Sequence, residues 1–117
     1  LAINTPPDFV LQLDVGWANY ANVNPKAFIQ RYPERTLTSH FKIRTYQGKP
    51  GSVAPESNVI IGQDSYDWSS LVEVLLQYGG LQWIVIEQEE FPEGLSELQS
   101  VNASLDGLLL KVPQLSK

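Results

Sequence analysis

Asp14, His40 and Glu87 each stand at or near the end of a short apolar run. The runs read Phe9-Val-Leu-Gln-Leu-Asp14, Thr36-Leu-Thr-Ser-His40 and Gln82-Trp-Ile-Val-Ile-Glu87. A carboxylate, an imidazole and a second carboxylate brought to one place can hold a divalent ion. Hard oxygen donors with one imidazole suit Mn²⁺, Mg²⁺, Co²⁺ or Zn²⁺, and the lack of cysteine argues against a structural zinc. Such an ion could chelate the carbonyl and hydroxyl oxygens of a sugar, polarise the carbonyl and stabilise an enediolate. A neighbouring carboxylate could then move the proton from the adjacent carbon. Each residue also has a plainer reading. Asp14 alone is more often a turn or cap residue. His40, the only histidine, is by itself more often a hydrogen-bonded structural residue. Glu87 belongs to the acidic stretch Glu87-Gln-Glu-Glu90, yet it closes a strongly apolar run, where a charge calls for an explanation.

These residues converge only if the runs are parallel strands. Phe9–Asp14 is nearly continuous in apolar residues, as a doubly buried strand is. A small, polar stretch from Gly16 follows and reads as a loop. Asn24-Pro25 reads as a helix cap followed by proline at the first helical position, and Pro33 closes that helix. The second strand starts at Thr36 and runs through His40, as far as Ile43 or Tyr46. Residues 47–58 hold two prolines and two glycines, which predicts a long loop over the site. Asp67 can cap the next helix, whose stripe is Leu71, Val72, Leu75 and Leu76 and whose end is Gly79-Gly80. Gln82–Glu87 is the third strand. Leu95, Leu98, Val101, Leu105, Leu108 and Leu109 then recur at helical spacing. The expected class is α/β, with parallel strands and crossover helices in about three βα units. Three helices cover one face of such a sheet, so its other face needs a further partner.

At 117 residues the chain is a single domain, 1–117. Its net charge of −5 opposes nucleic-acid binding. No apolar run approaches a membrane span. The start lacks the basic region of a signal peptide, and the lack of cysteine fits a cytoplasmic protein. The absence of methionine predicts that the chain is cut from something longer.

Four segments in succession resemble the C-terminal part of the sugar phosphate isomerases/epimerases, the xylose isomerase-like TIM barrels. They are Gln12-Leu-Asp-Val-Gly-Trp17, Ser39-His-Phe-Lys42, Ile61-Gly-Gln-Asp-Ser-Tyr-Asp-Trp68 and Trp83-Ile-Val-Ile-Glu-Gln-Glu89. The resemblance spans roughly residues 9 to 110. It implies the C-terminal part of a (β/α)8 barrel, incomplete as a barrel by itself. It implies a divalent metal with Asp14, His40 and Glu87 as three of four ligands, the fourth being a glutamate on a strand before Leu1. Glu87 is then also the acid/base. Lys42 and Trp17 become candidate contacts to a sugar or sugar phosphate. Three positions depart from the family pattern: Ile43 replaces an aspartate, Asp64 a frequent glycine, and Trp17 lies where a second histidine is often offered. The chain alone is expected to be inactive. Its expected partner is the missing N-terminal part or further copies covering the open sheet face. The alternative is a non-catalytic oligomerising or ligand-binding domain of the same fold. Trp68 and Trp83 are expected to pack.

Overall fold

A computed structural model describes residues 1–44 and 59–116. The predicted loop 47–58 lies outside the described residues. Three parallel strands, β1 (Gln12–Asp14), β2 (Thr38–Phe41) and β3 (Trp83–Ile86), lie side by side in chain order. The α/β class is therefore as expected. The helices are α1 (Val15–Tyr20), α2 (Pro25–Arg31), α3 (Trp68–Val74) and α4 (Glu97–Lys111). A π turn, Leu75–Gly79, continues α3, and a 3₁₀ turn, Pro113–Ser116, follows α4. No described helix is long and apolar enough to cross a membrane.

The local chemistry accounts for each boundary. Asn24 caps α2 by accepting from the amides of Lys26 and Ala27, and Asp67 caps α3 by accepting from Ser70 N. Gly80, at φ 70°, closes the π turn. Ser96 and Gln99 form a reciprocal capping box at the start of α4. The strands are shorter than the apolar runs. Phe9 and Val10 fall outside β1 because the Arg35 side chain, not a neighbouring strand, takes the Phe9 carbonyl. Thr36 falls outside β2 because its amide bonds the Gly79 carbonyl at the end of the π turn. The stretch expected as a loop after Asp14 is instead the short helix α1.

Alternation along the strands divides the sheet into two unlike faces. Leu13, Phe41, Ile84 and Ile86 meet Ile29, Trp68, Leu71, Leu75 and Leu108 in a core of helix and sheet residues. The register pairs Gln12 with Thr38 and Thr38 with Trp83, then Asp14 with His40 and His40 with Val85. Those residues share the opposite face, where Trp83 is 71% exposed. Trp68 packs as expected; Trp83 does not. Leu76, expected in the buried stripe of α3, is exposed, whereas its neighbours Leu71, Val72 and Leu75 are buried.

Candidate metal centre

The parallel register carries Asp14 and His40 to adjacent positions at the carboxyl ends of β1 and β2. Glu87 follows β3, and its amide bonds the Phe41 carbonyl at 3.0 Å, so strand pairing extends to it. Positions 40, 42 and 44 share one side of an extended chain, as do 85, 87 and 89. The same alternation therefore brings Lys42, Arg44 and Glu89 to the cluster.

Asp14 divides its two oxygens between separate tasks. Oδ1 accepts from the amide of Trp17 and caps α1 at 2.9 Å. Oδ2 faces His40 Nδ1 at 3.8 Å and Lys42 Nζ at 3.1 Å. The cap reading and the ligand reading of Asp14 are thus compatible. His40 Nδ1 lies 2.8 Å from Glu87 Oε2. The three residues offer ligand atoms all within 4.8 Å of one another. Donors held about 2.1 Å from a small divalent ion stand about 3 Å apart when adjacent and about 4 Å apart when opposite. The donor set fits such an ion after a contraction of somewhat under about 1 Å.

Lys42 is the residue that alters the reading of the site. Its side chain is only 5% exposed, and its ammonium contacts Asp14 Oδ2, Glu87 Oε2 at 3.0 Å and Glu89 Oε1 at 2.8 Å. Burial works against its charge, but its hydrogen bonds to Glu89, Glu87 and Asp14 outweigh it and hold Lys42 above its ordinary value. Arg44 completes the network by pairing with Glu89 and Glu90. Hydrogen bonds from Lys42 and Arg44 lower the Glu89 carboxyl to about 2. Trp17 covers both cations, with Lys42 Nζ 5.1 Å and Arg44 Cζ 4.9 Å from its ring centre.

Asp14, His40, Glu87, Lys42 and Trp17 therefore all meet at one end of the sheet. Lys42 is directed at carboxylates rather than at open space, and the Trp17 ring is engaged by the Lys42 and Arg44 cations. Glu89, Glu90 and Arg44 escaped the sequence reading. The period-two spacing from Glu87 and Lys42 was the signal that could have found Glu89 and Arg44. Asp64, one of the departures from the family pattern, accepts hydrogen bonds from Tyr66 N and Trp68 Nε1, so it fixes the entry to α3 and stands outside the cluster. No protein-family model matches the chain, and no curated protein matches it by sequence.

Proposed function

We propose that these residues form the C-terminal βα units of a xylose isomerase-like TIM barrel of the sugar (phosphate) isomerase/epimerase class. One observation carries the reading: ligand atoms from the ends of three adjacent parallel strands lie within 4.8 Å on one sheet face. Sites of α/β barrels and sheets lie at that end. Asp14, His40 and Glu87 would hold a divalent ion (Mn²⁺, Mg²⁺, Co²⁺ or Zn²⁺). When bound, the ion supplies Lewis-acid polarisation of a sugar carbonyl. Glu87 would move a proton between neighbouring carbons by way of an enediolate. Trp17 would border the sugar, and Lys42 would reach its oxygens only after leaving the carboxylates. Charge favours a cation here, because Lys42 and Arg44 face four carboxylates, those of Asp14, Glu87, Glu89 and Glu90. In this reading the remaining barrel strands cover the face that carries Trp83, and the protein works in the cytoplasm.

The test is Mn²⁺ titration by calorimetry. One ion per chain is expected, with binding weakened at least tenfold by Asp14→Asn or Glu87→Gln. Binding untouched by both substitutions would refute the site. With Mn²⁺ in D₂O, the 117-residue chain is expected to leave a panel of aldoses, ketoses and their phosphates unexchanged. Turnover by this chain alone would overturn that expectation.

A second reading rests on Trp83 and Val85, which stand exposed on the open face. Here the domain is non-catalytic, and the face binds a ligand or further copies of the chain. Sedimentation of a stable monomer at micromolar concentration would count against oligomerisation.

A further inference from the structure

The oxygens offered to a metal are already engaged by a cation of the protein itself. Lys42 Nζ stands 3.1 Å from Asp14 Oδ2 and 3.0 Å from Glu87 Oε2, the same atoms that approach His40 Nδ1. A divalent ion bound there would take lone pairs now directed at the ammonium. It would also add two positive charges within a few ångströms of a buried one, where screening is weak.

The ammonium has a second place to rest. Glu89 Oε1 lies 2.8 Å from it, and Glu89 is not a member of the Asp14, His40 and Glu87 set. The face of Trp17 lies 5.1 Å from Nζ and favours a cation. Gly16 provides room for the lysine stem, since a Cβ there would stand 2.5 Å from Lys42 Cγ. Arg44 fixes Glu89 from its other side, so this resting place is built before any ion arrives.

We propose that Lys42 is an exchangeable internal counter-ion, which holds the Asp14 and Glu87 carboxylates together and yields them to a divalent metal by withdrawing onto Glu89 and Trp17. This rests on the metal reading of the cluster and goes beyond it. Lys42 sets how tightly the ion is held, and Glu89 sets the ease of its withdrawal. The two residues therefore act on metal affinity in opposite directions.

That opposition is the test. Mn²⁺ is titrated calorimetrically into the wild-type chain, Lys42→Met and Glu89→Gln, with folding checked by circular dichroism. Lys42→Met removes the competitor and should tighten Mn²⁺ at least tenfold. Glu89→Gln removes the anion that receives the ammonium and should weaken Mn²⁺ severalfold. Unchanged or weaker binding by a folded Lys42→Met protein overturns the proposal, while wild-type binding that depends on Asp14 and Glu87 leaves the metal reading standing. If Lys42→Met fails to fold, Glu89→Gln decides: weaker binding supports the exchange, and unchanged or tighter binding overturns it. Failure of all three proteins to bind Mn²⁺ overturns the metal reading and the exchange with it.

Discussion

Gly16 and Lys42 are packed so closely that a Cβ on Gly16 would stand 2.5 Å from Lys42 Cγ and 3.0 Å from the Lys42 carbonyl oxygen. Glycine within a helix usually costs stability relative to alanine, by about 1 kcal/mol. In α1 the sign should reverse. Gly16→Ala would force either the backbone of α1 or the lysine stem to move, at a cost of about 1–3 kcal/mol. The expected result is a lower denaturant midpoint with an unchanged slope. A stabilised Gly16→Ala protein would show that Lys42 does not fill that space.

Acid should loosen the same corner. The Glu89 carboxyl is lowered from 4.5 to about 2 by Lys42 and Arg44. A depressed carboxylate contributes stability that is fully present above pH 4.5 and is lost as the pH falls toward 2. Glu89 is about one-third exposed, so solvent screening limits this to about 1 kcal/mol. Thermal melts of wild type should drop between pH 4.5 and 2, and Glu89→Gln should flatten that drop. Parallel acid profiles for the two proteins would remove Glu89 from the account. Lys42, with a raised value, contributes fully below its ordinary 10.5, and that contribution fades as alkali deprotonates it.

A second glycine holds the segment before α3. Gly62, at φ 94°, packs on Gly107 of α4, and a Cβ on Gly107 would collide with the Ile61 carbonyl. Ser104 Oγ receives the Ile61 amide at 3.2 Å and donates to Gln88 Oε1 at 2.8 Å, while Gln88 Nε2 donates to the Val59 carbonyl. Helix, loop and the end of β3 are thus joined by one partly buried network. Gly107→Ala should destabilise by about 3 kcal/mol or more, although it raises helix propensity. Urea unfolding of that variant at wild-type stability would mean the loop has room to retreat.

The parallel sheet, and the meeting of Asp14, His40 and Glu87 at one end of it, were legible because period-two alternation and cap residues are local signals. Asp14, His40 and Glu87 could be aligned from chain order alone. Helix α1 was not legible, because Gly16 and Asn19 have loop chemistry and only the Asp14 cap and packing against β2 make them helical. The π turn was equally silent, since Leu75 to Gly79 carry no residue that distinguishes it from an ordinary α-helical turn. Lys42 was seen but assigned to a substrate. Sequence order gives its strand face but not the three carboxylates around it, one at the end of β1 and two just after β3. The Ser96–Gln99 capping box was written plainly in the sequence and was missed there.

Arg35 organises the beginning of the chain in a way that can be measured directly. It is 5% exposed, and its guanidinium donates to the carbonyls of Phe9 and Ala2, at 2.9 and 2.8 Å, and to Thr5 Oγ1. Its own carbonyl receives the Leu11 amide. Residues 1–10 otherwise carry exposed apolar groups, including Leu1, Ile3, Phe9 and Val10. One planar donor with several fixed directions therefore replaces a strand ladder, and a lysine cannot reach the same acceptors together. Arg35→Ala should cost about 2–4 kcal/mol, because the stranded carbonyls lose a charged donor. It should also raise thermolysin cleavage ahead of Phe9 by about thirtyfold or more under native conditions, read by mass spectrometry, since local opening tracks the lost stabilisation. Arg35→Lys should fall between the two. Wild-type cleavage rates in Arg35→Ala would mean that the guanidinium does not hold the segment.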